Sequence, residues 1–430
     1  MCNKAKGKVD EAESQELCPY FANLPSHLTA HILLQLPIKS LLISRCVCKI
    51  WKTIISEPHF AKLQFERAPI SLMIWTDDYR PEARMLSLLE CELKNFELGS
   101  NNHVKLESIF NNGSRENLVA CNIDHANFDV VNSCNGLLCL CDPYSNGFPL
   151  VVCNPVTGEF IRLPKATMTP TRLCTKRVIN QEHVGFGYQP KTNDYKVIKI
   201  WTRHVRGDNN FVFECAILEI HTLGTPSWRN VKVDPQLSIW SLNYPTCVNG
   251  ALHWIRFDFL QMSILCFNLE NERFQSFPSP PHVFQNDRII AGITDRRINM
   301  GELRGFLYIC DSFSLFDVTT WVMKEYGLGE SWTKVYSIDT SASPLGISEY
   351  PSSGFCWPVK LFEESACILF YESYNCLVYY EPEKHGFEVF QVHGAQSKLV
   401  EVIPHIPSLI SLKEAVNGDD VEVLNVYSRR

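Results

Sequence analysis

The sequence predicts a mainly β chain with a small helical unit at its N-terminus, and three observations lead to that class. Apolar residues follow a helical spacing only between about residues 24 and 66. From about Ile70 the runs become short, alternating and rich in aromatic and β-branched residues, with turn signals between them. Pieces of this strand-rich part recur along the chain, which indicates a repeat architecture.

Composition excludes several classes of protein. The 430 residues carry a net charge of -7, so the chain lacks the basic footprint that a nucleic-acid backbone requires. No run reaches the roughly 18 apolar residues of a membrane span. Eighteen cysteines are scattered, mostly in apolar runs, as expected of free thiols in a reduced protein. We therefore predict a cytoplasmic or nuclear location, with neither nucleic acid nor membrane as a partner.

The N-terminal part predicts a disordered tail followed by a helix. Residues 1–17 are polar, mixed in charge and without the apolar core of a secretory signal. In the helix that follows, Ser26 is a plausible N-cap and Pro37 a stop. Its apolar stripe has the spacing i, i+4, i+5 and i+8, at Leu28, Ile32, Leu33 and Leu36.

Two further helices and a final turn complete the predicted unit. Ser40 can cap the second helix, and the third holds Trp51 and its apolar neighbours. The segment "EPHFAKLQFER" adds a turn or two. The result is a three-helix unit over residues 18–66, which is too small to support a hydrophobic core comfortably by itself. Its apolar stripe therefore predicts a partner surface.

The strand-rich part predicts a β-propeller over residues 70–412. Three segments resemble one another: "SCNGLLCLCD", "CVNGALHWI" and "ELRGFLYICD". The repeat period of roughly 50 to 60 residues, without helices between copies, favours a propeller of about six blades over a sandwich. We expect the late strand 408–412 ("SLISL") to pair with an early strand near "ISLMIW" and close the ring. Residues 413–430 are then a C-terminal tail.

Some distinctive residues of the strand-rich part have an architectural explanation. Asn154 to Gly158 predicts a hairpin turn, because proline fixes φ early in the turn and glycine accepts a positive φ later. Gly185 and Gly187 predict a place where a neighbouring strand or blade approaches closely. Cys139 and Cys141 favour a core position over a metal site, as does His253 among its apolar neighbours.

The helical unit resembles an F-box, the module of SCF-type (Skp, cullin, F-box) ubiquitin ligase receptors that binds the Skp adaptor. The matching elements, in order, are Leu24-Pro25, Ile32-Leu33, Leu36-Pro37, Ser40-Leu41, "RCVCKIW" and Ile54-Ile55. The resemblance implies an adaptor and, through it, a cullin as partners. The adaptor-binding residues that it implies are Leu24, Pro25, Leu28, Ile32, Leu33, Leu36, Pro37, Leu41, Leu42, Val47, Cys48 and Trp51. The last three could instead contribute to the core of the module.

The remainder resembles the F-box-associated domains common in plant F-box proteins. The matching segments are "NGLLCL", "NPVTGEFIRLP", "GFGYQPKTNDYKVIKI", "VNGALHWI" and "ILCFNLENERF". The blades lack the Gly-Gly pair of strict kelch repeats, so the likeness is to a kelch-like propeller. This resemblance implies a domain that recruits an unknown target protein for ubiquitination.

Motifs for catalysis are absent from the sequence. Gly185 and Gly187 are not followed by the third glycine of a dinucleotide loop, and neither a phosphate-binding loop nor a nucleophile elbow occurs. We predict a non-catalytic receptor without cofactor or metal. Two alternatives stay open: an enzyme or small-molecule sensor built on the propeller, and an F-box scaffold acting outside a ligase.

Overall fold

The computed structural model describes two compact units of the chain, residues 1–64 and 65–430. The predicted N-terminal tail, residues 1–17, lies outside the described residues. The structure describes residues 24–77, 85–89, 129–142, 149–166, 178–207, 211–234, 237, 239, 241–243, 245–258, 261–281, 283, 298–303, 305–312, 317–339, 356–361, 367–371, 376–381, 386–390, 398–416 and 422–425.

The described N-terminal residues, from Leu24 onward, form four helices, one more than predicted. They are α1 (Ser26–Leu33), α2 (Ile38–Ser44), α3 (Lys49–Ile55) and α4 (Pro58–Arg67). The predicted final turn is thus a ten-residue helix, and the boundary between the two units falls within it. Helix α3 packs against both α1 and α2. None of the described helices has the length and hydropathy needed to cross a membrane.

The predicted helix caps at Ser26 and Ser40 are wrong. Pro25 and Pro37 occupy the N-cap positions of α1 and α2, with φ of -53° and -55°. Proline has a suitable fixed φ for this place but no side-chain acceptor, so neither helix has a side-chain cap. Cys48 caps α3, because its Sγ accepts a hydrogen bond from the backbone N–H of Trp51 at 3.5 Å.

The described residues of the second unit form six antiparallel sheets, which we number I to VI. Sheet I contains β1 (Ser71–Asp77), β2 (Met85–Leu89) and β24 (Lys398–His405). Sheet II contains β3 (Asp129–Cys134), β4 (Leu137–Cys141), β5 (Leu150–Asn154), β6 (Glu159–Arg162) and β25 (Leu424–Asn425). Sheet III contains β7 (Val178–Gln189), β8 (Asp194–Arg206), β9 (Phe211–Thr222) and β10 (Arg229–Val231).

The remaining strands form three more sheets. Sheet IV contains β11 (Ser241–Leu242), β12 (Thr246–Val248), β13 (Ala251–Asp258), β14 (Gln261–Asn268) and β15 (Arg273–Phe277). Sheet V contains β16 (Ile298–Leu303), β17 (Phe306–Asp311), β18 (Asp317–Met323) and β19 (Trp332–Asp339), with a 3-10 turn at Gly329–Ser331 before β19. Sheet VI contains β20 (Cys356–Leu361), β21 (Cys367–Tyr371), β22 (Cys376–Glu381) and β23 (Gly386–Phe390).

One edge strand of each sheet contributes to a closed ring. Strand β24 contacts β3, which contacts β7, and the circuit continues through β12, β16 and β20 back to β24. Apolar clusters fill the spaces between successive sheets II to VI. This arrangement is the predicted β-propeller. Five sheets have the four or more strands of a full blade, one fewer than the roughly six predicted, and sheet I has three described strands.

The ring closes through a different strand from the predicted one. Strand β1 pairs with β24, with Ile74 opposite Val402, so the closing strand is Lys398–His405. The predicted closing segment, residues 408–412, is irregular and leads into helix α5 (Leu412–Ala415). The predicted C-terminal tail also contributes to the fold, because Leu424 pairs with Phe160 of β6.

The three similar sequence segments form equivalent hairpins. They are β3–β4, β12–β13 and β16–β17, each joining the innermost strand of a sheet to the next strand. The turns Asn135-Gly136 and Asn249-Gly250 have positive φ at both positions, as two-residue type I′ hairpins require. The local sequence therefore sets the inner edge of each of these blades.

Glycines in β7 allow close packing between sheets III and IV, which confirms the interpretation of Gly185 and Gly187. A Cβ at Gly185 would lie 2.7 Å from the ring of Trp254, which is completely buried. A Cβ at Gly187 would lie 2.7 Å from Leu269. The same two sheets are joined by Lys196, whose Nζ donates to the Leu269 carbonyl at 2.7 Å.

Asn154 joins the predicted turn of sheet II to the segment that follows β24. Its Oδ1 accepts from the backbone N–H of Val156 at 2.9 Å and of Thr157 at 3.2 Å. Its Nδ2 donates to the carbonyl oxygens of Ser408 at 3.0 Å and Ile410 at 2.8 Å. Gly158 completes the turn with φ of 73°, which confirms the predicted hairpin turn.

Replacing Asn154 with alanine should lower the free energy of unfolding by about 2 to 3 kcal/mol, because buried backbone groups lose their partners. Urea denaturation of the full chain measures the change. The control is Asn271→Ala, at an exposed turn where one bond to the Arg273 N–H is lost, and its cost should stay near about 0.5 to 1 kcal/mol. Equal costs for the two variants would contradict the role of Asn154 in holding the segment around Ser408 and Ile410 against sheet II.

Candidate protein-binding surface

Helix α1 exposes two large apolar side chains on one face. Leu28 and Ile32 are four residues apart, so they lie one above the other along the helix. Their side chains are 43% and 52% exposed, whereas Leu33 is 1% exposed and faces the interior. The stripe predicted from the sequence is therefore divided between a solvent-facing part and a core-facing part.

Three further apolar side chains are exposed in the same unit. Ile43 of α2, Val47 in the connection after it, and Ile50 of α3 are 60%, 49% and 57% exposed. Ile43 and Ile50 were not among the adaptor-binding residues predicted from the sequence. The run Leu41-Leu42-Ile43 contained the signal, because three consecutive residues cover about 200° of a helix and cannot all be buried.

The predicted adaptor-binding residues differ widely in exposure. Pro25, Leu28, Ile32, Pro37 and Val47 are exposed. Half-buried positions are Leu24, Leu36, Leu42, Cys48 and Trp51. Leu33 and Leu41 are buried, at 1% and 0% exposure, so their side chains are not available to a partner in this conformation. Both belong to the interior of the unit: α1 buries Leu33, and α2 buries Leu41 together with Ile38.

The charge of this unit differs from that of the whole chain. Between residues 24 and 64 there is one carboxylate, Glu57, against five cationic side chains: Lys39, Arg45, Lys49, Lys52 and Lys62. Lys49 and Lys52, which are exposed, belong to the same helix as Ile50. We call the exposed apolar residues Leu28, Ile32, Ile43, Val47 and Ile50 the apolar surface. It belongs to a unit with a cationic excess, which favours an acidic partner.

The second unit contains a cavity of about 1170 Å³ bordered by the ring of inner strands. Its lining includes three carboxyl side chains, those of Asp129, Glu182 and Glu302. Glu182 is 3.7 Å from Lys199 Nζ. Burial raises the pKa of Glu302, although a hydrogen bond from the Gly305 backbone opposes the shift. A ligand of moderate size could fit here.

The structure places His253, Cys139 and Cys141 in the core, as predicted. His253 is completely buried, with Nδ1 3.3 Å from the Thr246 carbonyl and Nε2 2.9 Å from the Tyr326 hydroxyl. Cys139 is completely buried as well, and Cys141 is 8% exposed. Among the residues that the structure describes, no three His, Cys, Asp or Glu side chains are grouped as a metal site.

Comparison with protein families identifies both units. Residues 21–63 match the family described as the F-box domain. Residues 84–412 match the family described as the F-box associated beta propeller domain. These boundaries lie within the predicted domains, 18–66 and 70–412.

Several proteins of Arabidopsis thaliana are similar to this chain over most of their length. The F-box protein At3g07870 is 27% identical over 402 residues, which cover 86% of this chain and 88% of that protein. The F-box/kelch-repeat protein At3g23880 is 26% identical and covers 79% and 86%. The F-box protein CPR1 is 23% identical and covers 76% of each. The chain belongs to the family of F-box proteins with an F-box associated beta propeller domain.

Proposed function

We propose that this chain is the substrate-recognition subunit of an SCF-type ubiquitin ligase. In this proposal the F-box binds a Skp-type adaptor, the adaptor connects it to a cullin, and the propeller holds a target protein. The receptor supplies no acid, base or nucleophile. It accelerates ubiquitin transfer by holding the target at a high effective concentration near the conjugating enzyme.

The apolar surface is the observation that carries the proposal. Five large apolar side chains of this small unit are about 40 to 60% exposed, and an exposed apolar patch of a soluble protein marks a partner site. An interface of standard size, roughly 1,200 to 2,000 Å² in total, would cover it. The cationic excess of the same unit would speed association with an acidic partner.

The propeller is the proposed site of target recruitment. Its inner hairpins and the cavity at their ring offer a rigid frame, on which connecting loops can vary without loss of the fold. The non-catalytic role is supported by the family membership of both units. The cavity keeps a second function open, a small-molecule sensor, for which binding of a ligand beside Glu302 would be the direct support.

Replacing Leu28 and Ile32 together with glutamate should weaken adaptor binding by about 100-fold or more, because two charges would lose water at the centre of an apolar interface. Both positions are exposed, so the free protein should keep its stability. The measurement is the dissociation constant for a purified Skp-type adaptor, by isothermal titration calorimetry with the full chain.

Two comparisons separate an interface effect from a folding effect. His59→Glu introduces one glutamate at an exposed polar position of α4, and its affinity should stay within about twofold of the original, since surface charges contribute little. Leu33→Ala should instead lower stability by about 2 to 5 kcal/mol, because it removes a buried side chain. Unchanged affinity of the double glutamate variant would refute the assigned surface.

A further inference from the structure

Exposed apolar side chains of the propeller are concentrated at one sheet. Among the described residues of the second unit, five large apolar side chains are exposed, and four of them belong to sheet V. The fifth, Val212, lies in β9 of sheet III. The four of sheet V, between 39% and 46% exposed, are Phe306, Tyr326, Leu328 and Val335. Apolar exposure gathered in one region favours a binding role over chance.

Three of these side chains lie at the same end of sheet V. Because its strands are antiparallel, the turn from β16 to β17 and the loop of residues 324–331 from β18 to β19 are at one end of the sheet. Tyr308 of β17 is opposite Val322 of β18, and the same register continued by two residues brings Phe306 opposite Lys324. Adjacent strands are about 4.8 Å apart. We call three residues the sheet V end: Phe306, Tyr326 and Leu328.

Hydrogen bonds hold the loop that carries two of these residues. The Ser331 hydroxyl accepts from the Glu325 backbone N–H at 3.1 Å and lies 2.7 Å from the Leu328 carbonyl oxygen. The Leu328 N–H donates to the Glu325 carbonyl at 3.1 Å. The Tyr326 hydroxyl is fixed 2.9 Å from Nε2 of the buried His253. The loop is therefore ordered internally while it keeps an apolar side chain in solvent.

The charge of the propeller favours a basic partner. Residues 65–430 contain 42 carboxylates against 32 lysines and arginines. Within the loop, Glu325 and Glu330 are exposed on either side of Leu328, against one exposed cation, Lys324. Complementary charges steer association and exclude wrong partners, so a segment with lysines or arginines suits this surface.

We propose that the sheet V end is where the propeller binds its target protein, through a target segment in which apolar residues alternate with lysines or arginines. This inference rests on the proposed role of the chain as a receptor. Apolar side chains of the target cover the sheet V end, and its cationic side chains lie beside Glu325 and Glu330. Because the loop is already ordered, little conformational entropy is lost there on binding.

Photo-crosslinking from position 328 tests the assigned surface. The full chain is expressed in plant cells with p-benzoylphenylalanine in place of Leu328 or, as the matched control, in place of the exposed Val212. Linked peptides are identified by mass spectrometry. We expect position 328 to capture a protein that position 212 does not, through a segment of net positive charge. An acidic segment, a second copy of this chain, the Skp-type adaptor, or no link beyond those at position 212 would each overturn the proposal.

The affinity of the captured segment gives a second measurement. A synthetic peptide of that segment is titrated with the full chain by fluorescence anisotropy. Leu328→Glu should weaken binding by about tenfold or more, and Val212→Glu, the same change on another sheet, should stay within about twofold. Replacing Glu325 and Glu330 together with lysine should also weaken binding, most strongly at low salt. Equal affinity of Leu328→Glu and the original chain, both folded by thermal unfolding, would contradict the docking surface.

Ubiquitin transfer separates this inference from the proposed function. In a ligase reconstituted with adaptor and cullin, Leu328→Glu should reduce ubiquitination of the captured protein while adaptor affinity is unchanged. Undiminished ubiquitination by this variant would overturn the docking surface and leave the ligase role intact. Binding at the sheet V end without ubiquitin transfer by the original chain would support the docking surface and count against the ligase role alone.

Discussion

Replacing Gly136 with alanine should lower the free energy of unfolding by about 3 to 5 kcal/mol. A Cβ at this position would lie 2.3 Å from Ser408 Cβ and 3.0 Å from the Ile406 carbonyl oxygen. Neither neighbour can yield easily, because Ser408 is completely buried and its carbonyl accepts a hydrogen bond from Asn154. The backbone adds strain, since φ of Gly136 is +77°.

Gly305→Ala is the matched control for this prediction. It occupies the equivalent hairpin of sheet V with φ of +83°, but nothing lies within 4 Å of a Cβ placed there. Only backbone strain remains, so the expected cost is about 1 to 2 kcal/mol. Urea denaturation monitored by tryptophan fluorescence measures both variants. Similar costs at the two glycines would mean that contact with the C-terminal segment does not limit the size of residue 136.

The propeller should lose about 4 kcal/mol of stability when the pH falls from 7.5 to 5, from two buried histidines alone. Burial lowers the pKa of His405 to about 3, and burial lowers that of His253 to about 4 against the opposing effect of its hydrogen bond to the Thr246 carbonyl. In the unfolded chain both histidines bind a proton below about 6.5. The unfolded state therefore gains protons first, and stability falls progressively below that pH.

The pH window separates these histidines from the carboxylates. Burial raises the pKa of Glu272, but hydrogen bonds from Arg229 and Lys196 outweigh it and leave the pKa lowered. This carboxylate contributes stability above its unfolded pKa of roughly 4.3, and the contribution is lost only as the pH falls further. A decline between pH 6.5 and 5 is thus specific to the histidines.

A variant assigns the effect to one of them. In His405→Gln the difference in unfolding free energy between pH 7.5 and pH 5 should shrink by about 2 kcal/mol, even if the variant is less stable at both. The side chain of His405 contacts the Ser133 hydroxyl through Nδ1 at 2.9 Å, a bond that glutamine can replace. An unchanged pH dependence would show that His405 titrates in the folded protein as it does in the unfolded chain.

Features that depend on neighbours in sequence could be predicted well. The Asn-Gly hairpins at Asn135-Gly136 and Asn249-Gly250 were readable as repeats, because a two-residue turn with positive φ admits few residue types. The spacing of apolar residues between 24 and 66 predicted helices for the same reason. Helix starts were predicted less well, since Pro25 and Pro37 took the cap positions expected for Ser26 and Ser40.

The sequence by itself determined the class of the protein: an F-box followed by a propeller, with glycines at the close contacts of the inner ring. Only the tertiary structure decided which side chains are available. It buried Leu33 and Leu41, exposed Ile43 and Ile50, and chose β24 as the closing strand. The physical reason is that turns and helices follow from local backbone preferences, whereas exposure and pairing depend on contacts between residues far apart in the chain, as between Asn154 and Ser408.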